Sequence, residues 1–362
     1  PRADSVVTDT APRCGSVYSD NVTWPMAWYT VAAMLDEQYG DSQPIREAYE
    51  PMKMFMLHLK NRYDDHGIIT RDVYGDWCLP PESPELIHSK DSTRITRGPV
   101  LATAAYYRLC RLMERFAGIA GKTADVALWQ EMGRETREAF NRRFYHADKG
   151  WYDNNTVTAN ILALRWGLVP EGEADRVFGQ VVAKMTAAGT PHISTGVLGT
   201  QEIMRGLTDY GRGDIAYTLA TNRTYPSWGF MTDHGATTIW ELWNGDTANP
   251  RMNSGNHIML LGDLVIWYYQ YLAGIGQTND SRGYSHIRLQ PRIPEGLSHV
   301  NATHRSPYGL IESRWRRDGN MLHWQFTIPA NTTAEVCIPQ RGGTYDTRHY
   351  GSGTYEVSTA IR

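Results

Sequence analysis

The chain has 362 residues, with 36 Lys plus Arg against 39 Asp plus Glu, a formal charge of −3 and a pI near 6.5. That balance excludes the basic footprint of a nucleic-acid binder, and the length can bury a large core, more readily as two domains than as one. The 12 Trp and 21 Tyr against 7 Phe favour rings with a polar handle, which suit hydroxyl-rich ligands as well as core packing.

Residues 1–22 carry Pro, Gly, Ser and Asp with little period and read as an irregular approach loop. The spacing predicts a helix over 23–39, stopped by Gly40-Asp41, and another over 43–63, where a second proline predicts a kink. From 64 to 98 the helical period is lost. A loop that long in a compact domain is usually functional, and its Trp and carboxylates favour that reading. Helical pattern returns over 99–121, 123–144, 156–166, 171–188, 195–210, 212–220 and 253–273, giving roughly nine helices with no strand pattern between them. The most apolar stretch, 257–275, is interrupted by Gly262-Asp263 and Gln270, so a buried helix is expected rather than a membrane span. Cys14, Cys78, Cys110 and Cys337 show neither CxxC nor metal-ligand spacing.

Around 274–283 the composition shifts to Gly, Gln, Asn, Asp and Ser, a linker, and the period changes from helical to alternating. Short strands are predicted near 286–290, 296–306, 309–317, 321–328, 333–338 and 353–357, with Asp318-Gly319-Asn320 as a hairpin signal. A mainly helical domain over 1–276 is therefore expected to precede a small antiparallel β-sandwich over 277–362, which shows no aromatic–carboxylate constellation and reads as structural.

The chemistry concentrates in YPSWGFMTDHGATTIWELWNGDTANPRMNSGNH, 225–257. Trp240-Glu241-Leu242-Trp243 sets one carboxylate among indoles, with Trp228 and His234 before it and His257 after. The run Thr237-Thr238-Ile239 and the turn signal Asn244-Gly245-Asp246 point to an irregular or extended loop. Indole faces suit the C–H face of a sugar ring, and a partly desolvated acid suits proton transfer near neutral pH. The plainer alternative is a buried aromatic cluster whose Glu241 is paired with Arg251 or His257.

Several stretches resemble the α-L-rhamnosidases of glycoside hydrolase family 78. They are YSDNVTWP (18–25), YGDWCLPPESPELIHSKD (74–91), NNTVTAN (154–160), HISTGVLGTQEIMRGLTDYGR (192–212), TYPSWGFM (224–231), HGATTIWELWNGDT (234–247) and MNSGNHIMLLGDLVIWYYQYLAGI (252–275). The resemblance implies an (α/α)6 toroid followed by a β-sandwich, and inverting hydrolysis of a terminal α-L-rhamnoside with two carboxyl groups. It implies Glu241 as general base. Asp20, Trp77, Trp228 and His257 fall at rhamnose-binding positions, with Tyr18 and Asn21 beside them. The family's general acid lies in an Asp-x-x-Glu-Arg-x-Gly-Trp segment upstream of the YSDN region, and no such stretch stands in this sequence. A closed toroid has twelve helices against the nine counted, and the chain opens on Pro1. The expectation is therefore that N-terminal helices and the acid belong to a preceding segment.

Each candidate also has a structural reading. Asp20 can cap the first helix, Trp77 can plug the core, and His257 can be a satisfied core histidine. Trp228 has the small neighbours Ser227 and Gly229, which let a ligand approach. Glu82 and Glu85 are expected to pair with Arg94 and Arg97, and Trp24, Trp28 and Trp267 to serve packing. The expected partner is a rhamnose-containing glycan or glycoside, with no cofactor, metal, nucleic acid or membrane, and with a periplasmic or extracellular location. Two further readings stand beside this one: another toroid carbohydrate enzyme, and a non-catalytic sugar-binding relative. Among the former, a lyase would need groups that neutralise a uronate, for which the central loop offers only Arg251.

Overall fold

The computed structural model describes residues 6–11, 18–245, 247 and 254–361; Cys14 and Arg251 lie outside them. The helical part opens with α1 (Met26–Tyr39) and α2 (Gln43–Tyr63), then a two-residue hairpin of β1 (Asp64–Asp65) and β2 (Ile68–Ile69). Next come α3 (Gly98–Ile119), α4 (Thr123–Phe144), a second hairpin of β3 (Tyr145–His146) and β4 (Trp151–Tyr152), α5 (Val157–Trp166) and α6 (Ala174–Thr186). Then follow α7 (Val197–Thr200), α8 (Ile203–Asp209), α9 (Gly213–Thr221), α10 (Trp228–Asp233) and α11 (Leu264–Trp267). The two hairpins were not anticipated; each only turns the chain at the end of a long helix. Among the described residues no helix is long and apolar enough to cross a membrane.

Successive helices pair, α1 with α2, α3 with α4, α5 with α6 and α8 with α9. The first member of each pair also packs on the first member of the next, giving an inner layer α1–α3–α5–α8–α11. Burial follows this order. In α5 every residue from Val157 to Leu164 is buried, whereas α6 buries only Val177, Phe178, Val181 and Met185 along one stripe. Because alternate helices are inner, all inner helices run the same way, and the loops that enter their N-termini collect at one end of the layer. The two outermost inner helices remain apolar on their open faces: Val31 and Met34 on α1, and Val265 and Ile266 on α11, are exposed.

Two predicted helices are broken, one by carboxylates that start new turns and one at a glycine. The stretch 195–210 is two short helices because each starts on its own carboxylate. Asp76 accepts the Leu198 and Gly199 amides at 2.8 and 3.3 Å, and Asp263 accepts those of Met204 and Arg205 at 3.2 and 3.0 Å. The stretch 253–273 is a 3-10 turn (Ile258–Leu261), a break at Gly262, α11 and a π-helical turn (Tyr268–Leu272). Gly262 has φ 58°, and a Cβ there would lie 2.2 Å from the Thr200 carbonyl, so the chain bends where only glycine fits.

The sandwich has two four-stranded sheets. One is ordered β11 (Tyr345–Tyr350), β10 (Thr333–Pro339), β6 (His286–Leu289), β5 (Ile275–Gln277). The other is ordered β12 (Gly353–Ala360), β9 (Met321–Ile328), β8 (Gly309–Asp318), β7 (His299–Ser306). All pairings are antiparallel except β10 with β6. Trp315 and Trp324 fill the space between the sheets. The Trp315 indole N–H donates to the Leu272 carbonyl at 2.7 Å and the Ser313 hydroxyl to that of Ala273 at 2.6 Å, joining the sandwich to the end of the helical layer.

Candidate active site

The loop between β2 and α3 holds the site loops together. At its start Arg71 donates to the Ser19 carbonyl at 2.8 Å, and Asn21 accepts the Val73 amide at 3.2 Å. In its middle, Asp76 takes the Thr158 hydroxyl (2.5 Å) and the Gly196 amide (2.8 Å), and the Trp77 carbonyl takes the Val197 amide (2.8 Å). A Cβ on Gly196 would lie 2.2 Å from the Asp76 carbonyl, so this crossing is built on glycine. Further on, the Pro81 carbonyl accepts from Tyr225, and the Pro84 and Leu86 carbonyls accept from Asn244. The segments before α1, α5, α7 and α11 thus meet on one loop.

Asp20 sits before α1 with φ 56°, nearly buried. It does not cap the helix. Its Oδ2 accepts the Tyr63 hydroxyl at 2.5 Å and faces His58 Nε2 at 3.2 Å, while Oδ1 is buried with no partner among the described residues. Burial pushes the carboxyl up, but the bonds from Tyr63 and His58 and the charges of His58 and Arg62 outweigh it, so Asp20 stays below the usual carboxylate range. Asn21 is fully buried and committed, since its amide also donates to Thr23 at 2.8 Å. Tyr18, half-buried, stands just ahead of Ser19, which donates to Asp9 at 2.7 Å.

Trp77 is half-buried and belongs to an aromatic ladder. Trp24 lies 4.6 Å from Tyr74, Tyr74 6.3 Å from Trp77, and Trp77 5.3 Å from His88, centroid to centroid. Trp24, expected to serve packing alone, is therefore the inner rung of the wall that carries Trp77. The neighbouring acids are structural. Asp76 is fully enclosed; burial raises its carboxyl, and the four hydrogen bonds it accepts hold it in place. Glu82 does not pair with an arginine. It accepts from Ser89 and the Lys90 and Asp91 amides, and these bonds, Ser89 first, hold it at about 2. Arg94 instead donates to the Pro80 carbonyl, Arg97 pairs with Asp153, and Glu85 accepts from Ser83.

Glu241 lies on an extended segment paired with 254–257. Its amide donates to the Ser254 carbonyl at 2.9 Å, the Ser254 amide returns to Glu241 Oε2 at 3.2 Å, and the His257 amide donates to the Ile239 carbonyl at 2.7 Å. The flanking Trp240 and Trp243 turn into the core, leaving the carboxylate half-buried, with Oε1 free of hydrogen bonds among the described residues. Arg251, the expected alternative partner, lies outside them. The charge of Glu241 reaches Cys78, beside Trp77: the thiol is raised by burial first and then by Glu241 and Asp76. Trp228 is nearly buried. It starts α10, capped by Ser227, which accepts the Phe230 amide at 3.0 Å, and its indole donates to the Leu260 carbonyl at 2.9 Å, edge-on to Trp243. This short helix stands where an irregular loop was expected. His257 does not begin a buried helix: it precedes the 3-10 turn, Ile258 beside it is exposed, and its Nδ1 is buried without a partner among the described residues. Among the described residues no group of three or more His, Cys, Asp or Glu could hold a metal ion.

Sequence reading missed the roles of His58 and Tyr63, which hold the charge of Asp20, and of Asn244, which ties the Glu241 segment to the central loop. Nothing local marks them; their partners lie far away in the chain.

The chain and its fold have counterparts among known proteins. Residues 1–272 match the profile of the bacterial alpha-L-rhamnosidase 6 hairpin glycosidase domain, and 274–351 that of the bacterial alpha-L-rhamnosidase C-terminal domain. The chain belongs to the bacterial α-L-rhamnosidase family. An α-L-rhamnosidase of Streptomyces avermitilis is 32% identical over 99% of this chain and 34% of its own length. One from Formosa agariphila is 32% identical over 83% of this chain and 32% of its own. The chain thus spans about a third of the curated relatives it matches. The crystal structure of the S. avermitilis enzyme complexed with L-rhamnose superposes with TM-score 0.88 at 30% identity, covering 98% of this chain and 35% of that one. That of the α-L-rhamnosidase from Dictyoglumus thermophilum gives 0.89 at 28%, covering 99% and 42%. The helical layer with its trailing sandwich is the fold that the motifs implied.

Proposed function

We propose that the protein removes terminal non-reducing α-L-rhamnose from rhamnosides with inversion, Glu241 acting as general base. The observation that carries this reading is the state of the Glu241 carboxylate. One oxygen is fixed by the Ser254 amide, while the other takes no hydrogen bond among the described residues and lies near the loop that presents Trp77. A base that activates water needs such a carboxylate, oriented but not consumed by an ion pair. Asp20, ionised and with one oxygen unpartnered, is suited to accept sugar hydroxyls, and the exposed part of Trp77 to stack on the ring's C–H face. His257, with its free Nδ1, is a further hydroxyl partner. Inversion needs a second carboxyl that protonates the leaving oxygen on the opposite ring face. Asp76 and Glu82 are consumed by structural bonds, which supports placing that acid in a segment preceding Pro1. The substrate is a rhamnose-capped glycan or glycoside met outside the cytoplasm.

Glu241→Gln keeps the shape and cannot take the proton of water. With nitrophenyl α-L-rhamnoside, kcat is expected to fall by about two to four orders of magnitude while KM changes little. A variant that retains most of its turnover would remove Glu241 from the base role.

A further inference from the structure

The outer face of the β12–β9–β8–β7 sheet carries a feature that catalysis does not use. Side chains alternate along each strand, so burial of Trp315 and Trp324 turns Arg314, Arg316, His323 and Gln325 outward. Register aligns them in rows. Arg316 pairs with His299 on β7 and His323 on β9, and His323 with Ser358 on β12; Arg314 pairs with Asn301 and Gln325, and Gln325 with Glu356. A groove of about 400 Å³ runs over these two rows, within the range of ligand pockets.

The second row is internally satisfied, for Arg314 is paired with Glu312 at 2.6 Å and Gln325 donates to Glu356 at 3.1 Å. The first row is not. The Arg316 side chain makes no hydrogen bond or ion pair among the described residues, although it stands between two imidazoles. Each ring turns Nδ1 to a serine, His299 to Ser298 at 3.0 Å and His323 to Ser358 at 2.9 Å, and Nε2 has no hydrogen-bond partner among the described residues. An unspent planar guanidinium between two ring nitrogens matches a carboxylate or sulfate, which it grips with two parallel bonds. Around it, Asn301, Gln325 and Ser358 offer neutral groups for hydroxyls.

We infer that this groove binds the acidic groups of an anionic polysaccharide, with Arg316 as its anchor between His299 and His323. The preference for a glycan rests on the proposed rhamnosidase reading. The preference for sparse acids rests on charge: Glu312 and Glu356 share the face, and a polyanion with a phosphate on every unit would meet them as well as Arg316. A glycan that interposes neutral sugars between its acids places them only where the cation is.

The test is affinity electrophoresis of the protein through gels containing polygalacturonate, sulfated dextran or neutral dextran, with aryl-rhamnoside hydrolysis measured in parallel. Retardation is expected in at least one acidic gel, and which gel it is tells a carboxylate from a sulfate partner. It should weaken with added salt and be absent with neutral dextran. Arg316→Ala should bind about tenfold more weakly and Arg316→Lys less so, with unchanged thermal stability and aryl-rhamnoside kcat/KM. Equal retardation of Arg316→Ala, equal retardation by neutral dextran, or none by either acidic polymer would overturn the inference. Loss of hydrolysis by the unmodified protein would instead strike the catalytic reading, which the binding arms do not use.

Discussion

Tyr63 donates its hydroxyl to Asp20 at 2.5 Å on the same oxygen that faces His58, so the other oxygen is left buried without a partner among the described residues. A carboxylate so placed accepts hydroxyls most strongly while ionised, and burial alone would work against that state. Tyr63→Phe removes the strongest bond holding the charge, so the pKa of Asp20 should rise. The acid limb of the kcat/KM profile should then move to higher pH, with KM for an aryl rhamnoside up roughly three- to tenfold at neutral pH. An unchanged profile and KM would make the Tyr63 contact incidental.

Asn244, three residues after Glu241, is fully buried and donates to the Pro84 and Leu86 carbonyls, the latter at 2.8 Å. It fixes the segment of Glu241, the proposed base, against the loop that bears Trp77. Asn244→Ala takes the donor from the Leu86 carbonyl, leaves that of Pro84 with the Thr247 hydroxyl alone, and loosens that register. Turnover is expected to drop about 10- to 100-fold with a smaller change in KM. Asn244→Asp should be no better, because an acceptor then faces acceptors. Recovery of activity in the Asp variant would contradict the clamp.

Away from the site, Glu202 is buried among Arg108, Arg165 and Arg205, at 3.1–3.2 Å from each, and takes the Trp166 indole at 3.0 Å. Burial pushes its carboxyl up, but the charges of Arg205, Arg108 and Arg165 win and hold it below its ordinary value. Its stabilisation is therefore full above the unfolded pKa of about 4.3 and is lost as pH falls through the lower folded value. Glu202→Gln should cost about 1–3 kcal/mol at pH 7, chiefly by taking the charge partner from Arg108, since Arg165 keeps Asp209 and Arg205 keeps Asp263. Urea melts at pH 7 and pH 3 should bring the variant and the parent closer together at the acid end; a constant gap would refute the assignment.

The location of the general acid can be read from the leaving group. A natural rhamnoside departs as an alkoxide unless protonated, whereas a nitrophenyl rhamnoside leaves as a stable phenolate. If the acid lies in a preceding segment, residues 1–362 alone should lose natural disaccharides far more completely than aryl substrates, relative to a chain extended upstream. Equal rates on a disaccharide would place the acid within this sequence. Asp72 would then be tested first, since burial, and to a lesser extent Asp76, raise its carboxyl.

The long helices were legible because their apolar period is local: 43–63 and 123–144 match α2 and α4 at both ends. Helix breaks were not, because the carboxylates that restart α7 and α8 stand at Asp76 and Asp263, far along the chain from the amides they cap. The same distance hides the support of the site. His58 and Tyr63 are 38 and 43 residues from Asp20, and Asn244 is 158 from the Leu86 carbonyl it binds. Motif spacing names the groups a sugar would touch; it carries no trace of the groups that hold them.

The bonds from Trp315 and Ser313 to the Leu272 and Ala273 carbonyls bear on how this protein can be recombined. The last turn of the inner layer has its final carbonyls satisfied by side chains some forty residues downstream, both wholly enclosed. A chimera spliced within 274–283, where the composition suggested a linker but β5 already belongs to the sandwich, would take away those donors and leave the carbonyls dry at the graft. Exchange between relatives should succeed only when the donor sandwich brings its own tryptophan and serine in the same register. Heredity of the two halves is then linked by two hydrogen bonds, and the crossover point that looks safest on paper is the one to avoid.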